Sequence, residues 1–200
     1  MNRREALKLL ATAPFIASLD WTPEEVSAAA LKVDDLAGTT YAPEFFTDHE
    51  WRTVHVLVDL IIPADEKSGS ATDAGVPEFM DFILNESSEL RQRSMREGLA
   101  WLDAESRRRN SVAFVDASDA QRRAILDDIA WPARAPESMR DAVSWFNGFR
   151  DLTAAGFFSS RIGYDDLDFR GNEFVTEWQG CPPAALEKLG VSYDLMEDNG

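Results

Sequence analysis

The sequence contains very little cysteine and histidine, and this scarcity excludes most metal and redox centres. Its one cysteine, Cys181, cannot form an internal disulfide, and no C-x-x-C or C-x-x-C-H motif is present to hold zinc, an iron–sulfur cluster or covalent haem. The two histidines, His49 and His55, stand six positions apart. On one helix they would point about 120° away from each other, so they cannot share a metal ion as an i, i+4 pair would.

Basic residues and long apolar runs are also scarce. Lysine and arginine number 20 against 36 aspartates and glutamates, which gives a formal net charge of −16. Because such a chain repels phosphate backbones, we expect no nucleic-acid partner. No run reaches the ~18 apolar residues that a membrane-spanning helix needs. The 44% hydrophobic and 28% charged fractions over 200 residues fit one globular domain, with or without a tail.

Motifs of the common enzyme classes are absent. The sequence has no G-x-S-x-G nucleophile elbow, and Cys181 has no histidine near it in sequence to activate its thiol. Neither G-x-G-x-x-G nor G-x-x-x-x-G-K-[ST] occurs, so a flavin or nicotinamide nucleotide would be bound by another chain. No Glu-x-x-His pair is available for a di-iron bundle. We therefore predict no catalytic residue, metal ligand or cofactor in this chain.

An acidic cluster near the C-terminus leaves one alternative open. Four residues fall at positions one, three, six and twelve of a calcium-binding loop: Asp166, Asp168, Gly171 and Glu177. Position five is Arg170, a cation where an oxygen ligand belongs, and we expect this arginine to neutralise its acidic neighbours instead. The alternative is a free-standing periplasmic helical protein with a metal-assisted site around Asp165, Asp166 and Asp168.

The first 30 residues have the pattern of an export signal. A basic start is followed by an apolar run from Leu9 to Leu19. The start resembles the twin-arginine signal, Ser/Thr-Arg-Arg-x-Phe-Leu-Lys, and Asn2 and Ala6 depart from it. Four residues match the signal: Arg3, Arg4, Leu7 and Lys8. We therefore expect the twin-arginine export machinery to be a partner of this chain.

Two readings of residues 1–30 remain open. The triplet Ala28-Ala29-Ala30 offers the small residues that a signal peptidase needs. The run Thr22-Pro23-Glu24-Glu25, however, is a capping box with proline at the first helical position, which predicts a helix of the mature chain. The segment is therefore either an export signal or an N-terminal helix.

Residues 40–155 predict an all-α domain, an irregular helical bundle. Capping boxes at Thr47–Glu50 and Ser118–Gln121 mark helix starts, Ser87 or Ser88 begins a long helix, and Pro136 begins the last one. No run alternates for long enough to form a strand. Apolar residues recur at helical spacing and predict the core: Val54, Val58, Leu90, Met95, Leu99, Leu102, Ile125, Ile129, Val143, Phe146, Phe149 and Leu152.

Residues 156–200 have a different composition, which predicts an extended, irregular C-terminal arm and tail. This segment is rich in glycine, which permits tight turns, and in aromatic rings, which carry a large area for burial. The rings either cover one end of the bundle or contact a partner. Several rings on one loop-forming segment favour the partner contact.

Short motifs along most of the chain resemble those of one known family. Besides the twin-arginine signal they are Leu60-Ile61-Ile62-Pro63-Ala64-Asp65, Asp73-Ala74-Gly75-Val76 with Phe79 and Asp81, Gly98-Leu99 with Leu102-Asp103, Phe114, Gly156-Phe157-Phe158-Ser159 with Gly163-Tyr164, Gly171-Asn172, Trp178 and Gly180. The family is gluconate 2-dehydrogenase subunit 3, the small subunit of membrane-associated, flavin-dependent sugar dehydrogenases. Where the family has Gly-Tyr-Pro-Gly, this sequence has Gly180-Cys181-Pro182-Pro183.

The resemblance implies a subunit that is not an enzyme on its own. In such complexes a large subunit of the glucose–methanol–choline (GMC) oxidoreductase family carries FAD and oxidises a sugar or sugar acid. A cytochrome c subunit, with haem c, commonly accepts the electrons. The small subunit acts as an export escort: it supplies the export signal that the large subunit lacks, and it stabilises that subunit.

The resemblance also implies a location and a contact surface. The protein would be periplasmic, or membrane-associated through the complex or through an uncleaved leader. Residues expected to contact the large subunit are Phe157, Phe158, Tyr164, Asn172 and Trp178. A plain interaction module, which needs no redox partner, is the second alternative.

Overall fold

The computed structural model describes residues 21–36, 41–168 and 180–192. Within these ranges the chain forms eight α-helices and two 3-10 turns and contains no strand, which confirms the predicted all-α class. The chain divides into two compact units, Met1–Phe169 and Arg170–Gly200. Seven of the described helices belong to the first unit, where they form the predicted irregular bundle.

Three helices begin at capping boxes that the sequence predicts. α1 (Pro23–Asp35) and α2 (Asp48–Ile61) each follow a threonine whose hydroxyl accepts a hydrogen bond from the backbone N–H of a glutamate three residues later. The glutamate carboxylate in turn accepts a hydrogen bond from the threonine N–H. α5 (Asp119–Ile129) begins in the same way at Ser118 and Gln121. These reciprocal bonds satisfy backbone N–H groups that the first helical turn leaves unpaired.

The two helices between α2 and α5 also begin at local start signals. α3 (Val76–Asn85) follows Gly75, whose φ of 74° lies in the left-handed region that favours glycine. α4 (Glu89–Asn110) follows Ser88, whose hydroxyl accepts a hydrogen bond from the first-turn backbone. A local signal in the sequence therefore marks the start of each of the first five helices.

α6 (Arg140–Phe158) differs from its prediction at both ends. A 3-10 turn, Glu137–Met139, separates it from Pro136, the predicted helix start. At the other end it extends past residue 155, where the predicted helical domain ends, to Phe158. After two serines, α7 (Arg161–Asp166) follows. Most of residues 156–166, which the sequence assigns to an irregular arm, are therefore helical, because the apolar face of α6 packs against the core through its last turn.

Two elements complete the described chain. A 3-10 turn, Phe114–Asp116, lies between α4 and α5. In the second unit α8 (Pro183–Leu189) follows Pro182 and ends at Gly190, which has a φ of 65°. Over the described ranges, none of the helices combines the length and the apolar character needed to cross a bilayer.

The core of the first unit lies between α2, α3, α4, α5 and α6, and α1 packs against α3 and α6. Leu90 is the predicted core residue that the structure leaves exposed, because it lies in the first turn of α4, before that helix enters the core. The largest fully buried side chains are Trp145, Phe79, Phe114, Phe149, Phe157, Leu57, Met80, Leu84, Met95, Leu102, Ile125 and Ile129.

Two glycines allow α3, α4 and α6 to approach one another closely. A Cβ atom at Gly98 of α4 would lie 2.0 Å from Cε2 of Trp145 in α6. A Cβ atom at Gly156 of α6 would lie 2.7 Å from Cδ1 of Phe79 in α3. Neither position has room for a side chain, since close-packed interiors leave no space of this size. The contact of Gly156 with Phe79 lies at the C-terminal end of α6, where the candidate site also lies.

Candidate functional site

The candidate site is a set of exposed hydrophobic side chains at the junction of α6 and α7. Phe158, Tyr164 and Leu167 are 41%, 45% and 56% exposed, and we call these three residues the corner surface. The three lie within ten residues of the chain, and exposed apolar side chains that form a patch mark candidate binding sites on soluble proteins. The corner surface is therefore a candidate for contact with another protein.

Gly163 makes the tight junction possible. The Ser160 hydroxyl donates a hydrogen bond to the Phe157 carbonyl at 2.7 Å and accepts one from the Gly163 N–H at 3.1 Å, so it caps α7. A Cβ atom at position 163 would lie 2.1 Å from the Phe157 carbonyl oxygen. Because only glycine tolerates such an approach to backbone atoms, Gly163 allows α7 to fold directly onto the end of α6.

The two adjacent phenylalanines have different roles. Phe157 is 1% exposed and belongs to the core, whereas Phe158 points to the surface. Their rings form an edge-to-face pair with centroids 5.2 Å apart. Such pairs are favourable, so the contact with the buried Phe157 ring helps to hold the Phe158 ring in place. Of the rings that the sequence assigns to a partner contact, the structure places Phe158 and Tyr164 at the surface.

An apolar groove lies on the Phe158 side of the junction and has a volume of about 450 Å³. The end of α2 and the loop after it form one wall, and α6 forms the other. Its apolar lining consists of Ile61, Ile62, Pro63, Ala154, Phe157 and Phe158. Charged side chains, among them Arg150 and Asp151, also line it. A mixture of apolar and charged side chains is typical of protein–protein contacts.

Lys67 connects the loop after α2 to the end of α7. Its Nζ donates a hydrogen bond to the Asp166 carbonyl and lies 3.8 Å and 3.7 Å from the carboxylates of Asp166 and Asp168. The loop itself is held by Asp65, whose carboxylate accepts backbone hydrogen bonds from Ser68 and Lys67. These bonds lower the pKa of Asp65. Lys67 thus places a positive charge beside the acidic cluster. Nothing in the sequence indicated this contact, because Lys67 is distant from the cluster along the chain.

The described part of that cluster does not form a metal site. Over residues 21–36, 41–168 and 180–192, no group of three or more His, Cys, Asp or Glu side chains has the arrangement to hold a metal ion. The rest of the calcium-loop pattern, including Arg170 and Glu177, lies outside the described residues.

A second groove, of about 600 Å³, lies on the Tyr164 side of the junction. It runs between the end of α1, the turn before α3 and the start of α7. Its lining includes Val33, Asp73, Ala74, Arg161 and Tyr164. The Ser70 and Asp73 side chains accept hydrogen bonds from each other's backbone N–H groups, which shapes the turn. The Asp73-Ala74-Gly75 and Gly163-Tyr164 motifs therefore meet at one groove.

The histidines have separate partners within the bundle. His49 Nε2 lies 2.5 Å from Asp103 Oδ2, and the other oxygen of Asp103 accepts a hydrogen bond from the Phe114 N–H at 2.9 Å. His55 Nδ1 lies 2.9 Å from the Trp51 carbonyl oxygen. Both rings therefore serve contacts that hold the fold together.

Asp81 is fully buried and accepts four hydrogen bonds. This structural role was not predicted from the sequence. It accepts from the Tyr41 hydroxyl at 2.6 Å and from the N–H groups of Glu44, Phe45 and Phe46 at 2.8 to 3.0 Å. Burial and the neighbouring carboxylate raise the pKa of Tyr41 well above its usual range. The signal that could have found Asp81 is an acidic residue within the otherwise apolar run from Phe79 to Leu84.

Several predicted site residues lie outside the described residues. They are the export residues Arg3, Arg4, Leu7 and Lys8 and the partner-contact residues Asn172 and Trp178. Cys181 is described and exposed, in the segment before α8.

Comparison with known proteins gives one match. The family model described as gluconate 2-dehydrogenase subunit 3 matches residues 48–176, well over half of the chain. No curated protein and no solved structure matches the chain. The matched span begins at the first residue of α2 and contains the corner surface and the apolar groove, whereas α1 precedes it.

Proposed function

Because the chain belongs to the gluconate 2-dehydrogenase subunit 3 family, we propose that it is the non-catalytic small subunit of a periplasmic sugar or glycoside dehydrogenase complex. In this proposal a large GMC-family flavoprotein binds FAD and oxidises the sugar, and a cytochrome c subunit receives the electrons. The chain escorts the large subunit through the twin-arginine export machinery and stabilises it.

The corner surface is the observation that carries the proposal. Its three exposed hydrophobic side chains lie within the residues that the family model matches, and one of them, Phe158, lines the apolar groove. A few buried side chains, often aromatic, contribute most of the binding energy in typical interfaces. We therefore assign contact with the large subunit to Phe158 and Tyr164.

The buried carboxylates of the described residues support an accessory role. Asp81 and Asp103 accept hydrogen bonds from backbone N–H groups. Glu105 accepts hydrogen bonds from Arg108 at 2.7 Å and Arg109 at 2.6 Å. These groups hold loops and helix ends in place, so their hydrogen-bonding capacity is used by the fold itself.

Mass action gives the proposed escort its stabilising effect. A partner that binds only the folded form of the large subunit raises its stability in proportion to the logarithm of the free partner concentration. The large subunit produced without this chain should therefore be less soluble and less exported. This effect requires no chemistry in the small subunit.

Co-purification tests the proposal. We expect the tagged full chain, produced in its native host, to co-purify with a flavin-containing oxidoreductase that reduces a dye when sugar is added. The double variant Phe158→Ala with Tyr164→Ala should lose most of this activity because it removes the exposed rings, while its melting temperature stays close to that of the parent.

Two variants serve as controls. Trp131→Ala removes an exposed ring at the end of α5 and should leave co-purification unchanged. Phe157→Ala removes a core ring and should lower the melting temperature by itself. Sugar turnover or a tightly bound metal in the isolated chain would contradict the proposal and favour the free-standing alternative. A stable partner without flavin would favour the plain interaction module.

A further inference from the structure

The helix α1 begins within the 30-residue segment that has the features of an export signal, extends beyond it to Asp35, and lies outside the residues that match the family. We propose that α1 is a permanent part of the mature protein and that any removal of the export signal takes place before Trp21. Ala29, the central residue of the triplet Ala28–Ala30, is then a packing residue, and the triplet is not a processing site. The export step rests on the proposed function, whereas the packing of α1 does not.

The apolar face of α1 completes the core. Ala29, the central residue of the triplet, is 4% exposed, and Val26 and Val33 pack against the same cluster of buried residues. The Val33 side chain lies directly over Gly75, at the turn that starts α3: a Cβ atom at position 75 would lie 2.6 Å from Val33 Cγ1. The close packing of α1 on the start of α3 therefore requires that residue 75 has no side chain.

Polar contacts hold both ends of α1 to the bundle. Near its start, Glu25 accepts a hydrogen bond from Arg91 of α4 at 2.7 Å, and the Arg91 guanidinium lies 5.4 Å from the centre of the Trp21 ring. Near its end, Lys32 forms an ion pair with Glu86, just after α3. The capping bonds from Thr22 and the contact with Arg91 lower the pKa of Glu25, as expected for a carboxylate held in place.

Cleavage at the triplet is incompatible with this packing. Proteases cut chains in locally open states, so α1 would first have to leave the core and expose Ala29. A cut after Ala30 would also remove Trp21, Glu25 and Val26 and leave only the last five residues of the helix. A helical fragment of this length is not stable in water. The cut would therefore remove the whole contribution of α1 to the bundle.

Two substitutions within the triplet of the full chain distinguish the readings. Ala29→Glu places a carboxylate in the core, and we expect the melting temperature to fall by about 5–10 °C, or folding to fail. Ala28→Glu is the matched control because residue 28 is exposed on the same helix, and it should change the melting temperature little. Equal melting temperatures for the two variants would overturn the proposal.

Intact-mass measurement of the exported chain gives the second readout. We expect its N-terminus at or before Trp21, and a mature chain that starts after Ala28, Ala29 or Ala30 would overturn the proposal. A chain that stays in the cytoplasm would contradict the export escort function instead. In that case the comparison of Ala29→Glu with Ala28→Glu still decides whether α1 is part of the folded body.

Discussion

At the scale of single residues, acidic side chains act as acceptors that join distant parts of the chain. Asp81 in α3 holds residues 41–46, which places Phe45 and Phe46 in the core. Asp103 in α4 joins His49 of α2 to the 3-10 turn at Phe114. Because burial of a carboxylate is costly unless donors surround it, these residues specify where each loop attaches.

Glu105 gives a testable pH dependence. Its hydrogen bonds with Arg108 and Arg109 lower its pKa from 4.5 to about 2. Because the folded-state pKa is depressed, this stabilisation is present above about pH 4.5 and is lost as the pH falls towards 2. We expect Glu105→Gln to lower the free energy of unfolding by about 2 kcal/mol at pH 7 and to change it little at pH 2.

Urea unfolding of both proteins at a series of pH values measures the effect of Glu105. Asp165→Gln is a suitable control because Asp165 is an exposed acidic residue. A stability difference between Glu105→Gln and the parent that stays constant from pH 7 to pH 2 would show that charge is not its origin.

Local residue patterns were predictable, and distant acceptors were not. The boxes that begin at Thr22, Thr47 and Ser118 involve partners three residues apart, so the sequence shows both members together. The donors to Asp81 lie 35 to 40 positions earlier in the chain. A sequence pattern has no information about such a distance, because only tertiary packing brings the groups together.

At the scale of helices, the contact of α4 with α6 depends on Gly98. Glycine inside a helix costs about 1 kcal/mol relative to alanine, so propensity alone would favour Gly98→Ala. The Trp145 ring, however, occupies the space of a Cβ atom. We expect Gly98→Ala to lower the free energy of unfolding by at least about 2 kcal/mol, because the helices must separate.

Chemical denaturation followed by tryptophan fluorescence measures this loss. Glu97→Ala changes the neighbouring exposed residue of α4 and should stay within about 0.5 kcal/mol of the parent. A more stable Gly98→Ala protein would mean that the α4–α6 contact adapts easily and that Gly98 is not a packing requirement.

The junction of α6 and α7 shows why the candidate site was only partly predictable. A glycine in sequence indicates either a flexible turn or a close contact, and the pattern of residues 156–166 favoured the turn. In the structure Gly156 and Gly163 are contact positions, so α6 continues through Phe157. This continuation places Phe157 in the core and leaves Phe158 at the surface. The sequence alone does not distinguish these two environments, because the two residues are adjacent and identical.

At the scale of the whole molecule, the chain combines an acidic body with a basic start, which in the proposed function is the export signal. Of the 20 basic residues, Arg3, Arg4 and Lys8 precede the apolar run, while the net charge of the whole chain is −16. High net charge keeps a folded protein soluble. This property suits the proposed function, in which the subunit folds and joins its partner before export.

The twin-arginine residues provide the test of this order of events. We expect Arg3→Lys with Arg4→Lys to leave both the chain and the flavoprotein in the cytoplasm, with the dye-reducing complex still formed there, because the receptor reads the arginine pair and not its charge. Arg52→Lys with Arg93→Lys is the matched control on exposed positions of the body and should leave export unchanged. Normal periplasmic activity of the flavoprotein in the Arg3/Arg4 variant would mean that another signal carries the complex, and the escort role would then be lost.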